Sequence, residues 1–368
     1  AEEAAEEAAG EPWDLGALGE ALADSVAHHL VADVPVGVFL SSGLDSATLV
    51  SLAAEIKGTE LRTVTLGFDD FRGKEVDEVP LAERIAGQFG TDHRTSWIGR
   101  ADFDAESDRL MAAMDQPTID GVNSYFVSKV TAETGLKVAI SGLGGDEMFG
   151  GYASFREVPL LARVLKPFRF VPGFGRGFRA VSAPVLKHFT SPKYAGLFEY
   201  GTSHADAYLL RRGLFMPWEL PELLDADLVR DGWRELAPRA ELEATVAGIG
   251  PVNLRISALE TAWYMRNQLL RDSDWAGMAH SLEIRTPLVD AVLLRRLAPM
   301  LAAHSPPGKR DMALSPARRL PAEVLNRPKT GFSVPIHEWL DGDATRHGGW
   351  GFRQWAKHIH AAQWEAAG

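Results

Sequence analysis

Eleven residues, Val36-Gly37-Val38-Phe39-Leu40-Ser41-Ser42-Gly43-Leu44-Asp45-Ser46, constrain this chain more than any other stretch. A short apolar run stops at a small-residue loop, and a helix-compatible run, Ala47 to Ile56, follows at once. The pattern predicts a buried strand, a tight turn and a helix N-terminus. Such a turn aims backbone N–H groups outward at the positive end of a helix dipole, which makes an anion site. Ser41, Ser42 and Ser46 add hydroxyl donors, whereas Asp45 adds a carboxylate that a phosphate tolerates only with a cation beside it. The combination reads as a nucleotide phosphate plus a divalent metal. No G-x-x-x-x-G-K-[ST] run occurs in the chain, so this is not the common P-loop. On this stretch alone an ordinary strand-to-helix connection, with Asp45 capping the helix, stays open.

Three further segments narrow the choice. Val138-Ala139-Ile140-Ser141-Gly142-Leu143-Gly144-Gly145-Asp146-Glu147 is again an apolar strand ending in Ser-Gly, now followed by two acids. Glycines let the backbone approach a ligand closely, and paired acids suit magnesium carried in on a phosphate. The others are Ala279-His280-Ser281-Leu282-Glu283-Ile284-Arg285-Thr286-Pro287-Leu288-Val289-Asp290 and Asn326-Arg327-Pro328-Lys329-Thr330-Gly331-Phe332-Ser333-Val334-Pro335. The first loop resembles the Ser-Gly-Gly-x-Asp-Ser pyrophosphate loop of ATP pyrophosphatases, with Ser42 where the second residue is usually glycine. All four segments, in this order and spacing, resemble the synthetase domain of the asparagine synthase family. The resemblance runs from about Leu15 to the C-terminal tail.

The first half alternates strand and helix. Strands are expected at Val36 to Leu40, Leu61 to Phe68, Thr91 to Ile98 and Leu136 to Ile140. Helices are expected at Leu18 to Val31, Ala47 to Ile56, Val76 to Phe89, Phe103 to Met114 and Val122 to Thr134. This alternation predicts an α/β fold with a doubly wound parallel sheet, adenine nucleotide alpha hydrolase-like by the resemblance, followed by a mostly helical C-terminal half. Ligands then bind at the carboxyl ends of the strands, so Ser41 and Ser141 can face one pocket. Beyond Tyr152 the strand signal vanishes. The expected organisation is an acidic linker or tail over 1–13 and one synthetase-like domain over 14–368. Within that domain lie a nucleotide-binding core at 14–155, a helical insertion at 156–250 and a helical part at 251–368 that carries the lysine loop. Gly173-x-Gly175-x-Gly177 lacks the strand of a dinucleotide fingerprint and reads as loop.

Composition sets limits on function. The 368 residues are 46% hydrophobic and 24% charged, the balance of a globular protein with ample core. A net charge of −12 disfavours a general nucleic-acid binder, which carries a basic field. The sequence contains neither a run of eighteen apolar residues nor a basic-then-apolar leader, so no membrane span or signal peptide is expected. A cytoplasmic location follows by default. With zero cysteines, disulfides, thiolate metal sites and thiol nucleophiles are excluded. In the resembled family an N-terminal glutaminase domain uses a cysteine to release ammonia from glutamine. Three readings are open here: the glutaminase domain has been cut away, another subunit supplies the ammonia, or the nucleophile is an amine other than ammonia. The sequence leaves the oligomeric state undetermined.

The resemblance implies an ATP-dependent amide-forming ligase that adenylates a carboxylate, releases pyrophosphate and transfers ammonia or an amine. Asparagine synthase or a close paralogue is the leading reading. The alternatives are a peptide or β-lactam-type cyclising synthetase, and a non-catalytic nucleotide-binding module that depends on a partner. The implied cofactors are ATP and Mg2+. Ser41, Ser42, Gly43, Ser46 and Lys309 would hold pyrophosphate, with Arg310 as a further contact; Asp45 and Asp146 would bind the metal. Leu40, Leu66, Ser141 and Gly142 would line the adenosine site. Lys329 would stabilise charge at the reacting phosphorus. Asparagine-forming members read Ser-Gly-Glu-Gly after the fourth strand, with the glutamate near the acyl intermediate. Leu143 stands in that place and can neither bind an amine nor move a proton. The amine-handling group is then sought in Asp272 or Asp274. Glu283 and Arg285 read as a structural ion pair. The stretch Arg156 to Phe189 is basic and Phe-rich against the acidic chain, a helical insertion or a surface for an anionic partner.

Overall fold

The computed structural model describes residues 13–186, 189–328, 334–336, 339 and 350–367. Two compact units emerge, residues 1–151 with 265–342 and residues 152–264 with 343–368.

The first unit is built on the alternation read from the sequence. Helix α1 (Leu15–His29) leads to β1 (Val36–Phe39), α2 (Leu44–Lys57), β2 (Arg62–Phe68), α3 (Val79–Phe89) and β3 (Asp92–Ile98). Helices α4 (Arg100–Ala113) and α5 (Val122–Glu133) then precede β4 (Val138–Ile140) and the short α6 (Gly145–Phe149). The chain returns to this unit through α7 (Leu270–Met278), β5 (Glu283–Arg285), α8 (Ala291–Leu301), α9 (Lys309–Leu314) and α10 (Ala322–Asn326). The sheet has order β3-β2-β1-β4-β5, and every pairing is parallel. In register, Val36 sits beside Val138 and Val38 beside Ile140.

Local chemistry explains the elements. Helix α1 starts at Asp14, whose carboxylate accepts from the Ala17 N–H at 2.7 Å, a side-chain N-cap. In α2 every residue from Ser46 to Ala54 is buried, which is why that run carries no charge and shows no helical period. Each buried Leu or Val there contributes roughly 1.5–3 kcal/mol through burial. Strand β2 is buried along six of its seven residues, as a central parallel strand with both faces covered must be. Its polar side chains are satisfied: Thr63 Oγ1 bonds the Thr91 hydroxyl at 2.7 Å, and Thr65 Oγ1 donates to the Leu40 carbonyl at 2.6 Å.

Two expectations need correction. A fifth strand, β5, lies in the half read as strand-free. It is three residues, Glu-Ile-Arg, too short and too polar to carry a period-2 signal. Gly175 and Gly177, read as loop, lie in a helix over Phe174–Leu186. The Glu283–Arg285 ion pair is present at 2.7 Å.

The second unit is helical, with Ser154–Leu165, His204–Arg212, Pro238–Val246 and Val252–Leu259 packed around Val158, Tyr208, Leu242, Ile256 and Leu259. Glu260, fully buried, accepts from Arg212 at 2.8 Å and from the hydroxyls of Ser154 and Tyr208. In the basic stretch, Phe168, Phe174 and Phe178 pack around Phe198, and Arg179 pairs with Glu199 at 2.9 Å. Arg163, Lys166, Arg169 and Arg176 are exposed, as are the apolar Val181 (79%) and Phe189 (84%). Part of its apolar face is therefore uncovered.

Candidate functional site at the ends of the central strands

The strand order reverses direction between β1, which continues outward to β2 and β3, and β4, which lies on its other side. In open parallel sheets that switch point leaves a crevice beyond the strand ends. The loops after β1 and β4 carry the two serine–glycine motifs, so the crevice collects both.

The first loop is held by its own hydroxyls. Ser46 Oγ accepts from the Ser41 N–H at 3.1 Å and lies 2.9 Å from Ser41 Oγ, while the Gly43 N–H donates to Ser41 Oγ at 3.1 Å. Helix α2 starts at Gly43, which brings no capping side chain, so its first turn keeps N–H groups available to an anion. Leu40, buried at the strand end, is pinned by its N–H to the Val64 carbonyl at 2.9 Å; Leu66 is buried within β2. In the second loop the Ser141 N–H donates to the Arg285 carbonyl at 2.8 Å, so β5 fixes where that loop departs. Ser141, Gly142 and Leu143 are half-buried, and Glu147 is buried.

Asp45 and Asp146 converge on one cation. Lys309 Nζ donates to both carboxylate oxygens of Asp45 and lies 2.8 Å from Asp146 Oδ1. Glycines make room for this: a Cβ at Gly145 would fall on the Asp45 carboxylate, and one at Gly151 on that of Asp146. Burial by itself would lower the Lys309 pKa, but the Asp45 and Asp146 carboxylates outweigh it and the ammonium is held above its ordinary value. The donor set of two carboxylates in a small cradle fits a hard divalent cation that completes its shell with phosphate oxygens and water. Among the described residues no group of three or more His, Cys, Asp or Glu could hold a metal ion.

One cation was missed from the sequence. Arg327 donates through Nη1 to the Ser42 hydroxyl, adding a guanidinium to the first loop. Nothing local announces it, because 285 residues separate the partners. Arg310, read as a further pyrophosphate contact, donates to the Leu325 carbonyl and Asn326 Oδ1, both at 3.3 Å, and so braces the segment that leads to Arg327. Lys329 lies outside the described residues.

Asp272 is 1% exposed on α7, accepting from Thr118 Oγ1 at 2.8 Å and Trp275 Nε1 at 3.0 Å. Burial pushes its pKa up to about 6, against the lowering effect of those two bonds and with Asp120 adding to the rise. Asp274 is exposed, and Arg271 is engaged by Asp115 at 2.7 Å.

A doubly wound parallel sheet with a serine–glycine anion loop at its switch point and two acids beside it defines an α/β nucleotide-site architecture of the adenine nucleotide alpha hydrolase type. The asparagine synthase family model matches residues 17–359, and the chain belongs to that family. A putative glutamine-hydrolysing asparagine synthetase of Mycobacterium tuberculosis is 32% identical over 332 residues, covering 87% of this chain and 48% of the relative. Glutamine-hydrolysing asparagine synthetase 1 of Bacillus subtilis is 30% identical over 346 residues, covering 92% of this chain and 51% of the relative. The chain thus spans about half the length of these curated relatives.

Proposed function

We propose that this chain is an ATP-dependent, amide-forming ligase that activates a carboxylate as its adenylate. The observation that carries the reading is the convergence of Asp45, Asp146, Lys309 and Arg327 on the two loops at the sheet's switch point. A site with fixed backbone donors, two cationic side chains and two acids suits a metal-bound polyphosphate better than any uncharged ligand.

The reaction splits into two displacements. A carboxylate oxygen of the substrate attacks the α-phosphorus of ATP; the bond from that phosphorus to the bridging oxygen breaks, and pyrophosphate leaves. An amine or ammonia nitrogen then attacks the acyl carbon, the bond to AMP breaks, and the nitrogen gives up a proton. The first-loop N–H groups, Ser41, Ser46 and Arg327 would hold the departing pyrophosphate. Magnesium, held by Asp45 and Asp146, would neutralise charge on the phosphates. Lys329 is assigned to the reacting phosphorus on the resemblance of its motif, and Leu40, Leu66, Ser141 and Gly142 to the adenosine.

Within this class Leu143 favours an acyl–amine pair other than aspartate and ammonia, since leucine offers no group to a charged amine. Asp272 acts as a positioning residue for Thr118 and Trp275 rather than meeting the amine, because both its oxygens are taken and it is buried. Pyrophosphate release from ATP and magnesium across a panel of carboxylates tests the reading. Release that depends on one carboxylate supports a ligase and identifies the substrate. Nucleotide binding without release under any carboxylate would leave a binding module and overturn the enzymatic reading.

A further inference from the structure

Lys309 occupies the place where the proposed metal would bind. An ammonium carries three donors on a compact point charge. Here they meet Asp45 Oδ1, Asp45 Oδ2 and Asp146 Oδ1, the oxygens a divalent cation would need. The contact is built rather than incidental. Lys309 begins α9, on the end of a helix where a positive charge is least welcome. Its stem passes Gly151 so closely that a Cβ there would fall against Lys309 Cε. All three side chains are largely buried, so solvent screens the triad weakly.

We propose that Lys309 is the resident counter-cation of the nucleotide-free site and excludes magnesium until phosphates arrive. The inference rests on the reading of this site as one for a metal-bound polyphosphate. Two carboxylates facing each other without a cation repel, and Lys309 removes that repulsion while the site is empty of nucleotide. Metal alone must displace a charge-matched ammonium that is hydrogen-bonded to Asp45 and ion-paired with Asp146, and brings no acceptor to replace them. Metal arriving on a polyphosphate brings the acceptors that receive the ammonium, so the exchange strands no charge. No covalent bond changes in this step. The consequence is an order of events: the metal enters with the nucleotide and not before it. Lys309 thus serves first the acids and then the phosphates.

The test is metal binding to the nucleotide-free full chain, followed by calorimetry with magnesium and by electron paramagnetic resonance with manganese. Wild-type protein should bind neither ion detectably on its own, and Lys309→Met, which keeps the stem and loses the charge, should bind both at least about tenfold more tightly. Equal affinity in the two proteins would overturn the proposal. So would tight binding of magnesium alone by wild type, a measurement that needs no variant to fold. Lys309→Gln repeats the comparison should the methionine variant aggregate. A parallel titration of wild type with magnesium pyrophosphate separates the two readings. If the variant gains metal affinity while wild type ignores magnesium pyrophosphate, the role of Lys309 stands and the polyphosphate function falls.

Discussion

The Asp272 carboxyl, buried and held by Thr118 and Trp275, fixes a pH dependence with a definite sign. Its folded pKa of about 6 exceeds the ordinary 3.8, so the folded state holds the proton more tightly than the unfolded chain. Stability therefore rises as pH falls through 6 towards 3.8, and is lowest above 6, where the charge is buried at a desolvation cost that its two hydrogen bonds do not fully offset. Asp272→Asn should flatten that window, with a wild-type change on the order of 3 kcal/mol in urea melts; parallel pH profiles would refute the buried charge as its cause. At the first loop, where pyrophosphate is proposed to sit, Arg327→Met should raise the KM for ATP about tenfold or more, the loss of one charged hydrogen bond. A fall in kcat with KM unchanged would place Arg327 in the transition state instead. Lys329→Ala should slow adenylation by about 10²–10³. If only the KM for ATP moves, Lys329 binds the ground state and its assigned role is wrong.

Among the elements, β5 does more than its three residues suggest. Arg285 pairs with Glu283, and its Nη1 donates to the carbonyls of His29 at 2.8 Å and Val31 at 2.7 Å, where α1 ends. The same residue's carbonyl receives the Ser141 N–H. Arg285→Ala should cost about 1.5–3 kcal/mol of stability, the scale for hydrogen bonds to a charged group, read by chemical denaturation. A loss within experimental error would mean that these bonds are exchanged for water at no cost. The contrast with β1 explains what the sequence could tell. Val36 to Leu40 are apolar and end at small residues, so strand, turn and helix start are each written locally. Strand β5 takes its conformation from the neighbour it pairs with, and Glu-Ile-Arg has no pattern of its own. Asp45 and Asp146 were legible because each follows a recognisable strand-end turn. Their meeting at Lys309, and Arg327 on Ser42, arise from tertiary closure, which no local window contains.

At the scale of the whole molecule, each unit has its own buried ionic centre. In the helical unit it is Glu260, which joins Arg212, Ser154 and Tyr208. Glu260→Leu removes one partner and leaves the Arg212 guanidinium mostly buried, so about 3–5 kcal/mol should be lost. The melting transition of that unit should fall accordingly, and Arg212→Met in the same protein should recover part of the loss. No recovery would show that Glu260 acts through packing alone. In the α/β unit the corresponding centre is the Lys309 triad, whose members lie on three stretches of chain, with 264 residues between Lys309 and Asp45. Contacts that close such long loops are entropically expensive and tend to form late in folding. A chain that has folded only locally would lack the triad, and with it the proposed nucleotide site. By the same linkage, a ligand gripping all three stretches opposes their separation, so on the proposed reading added nucleotide would lengthen the time this unit survives proteolysis.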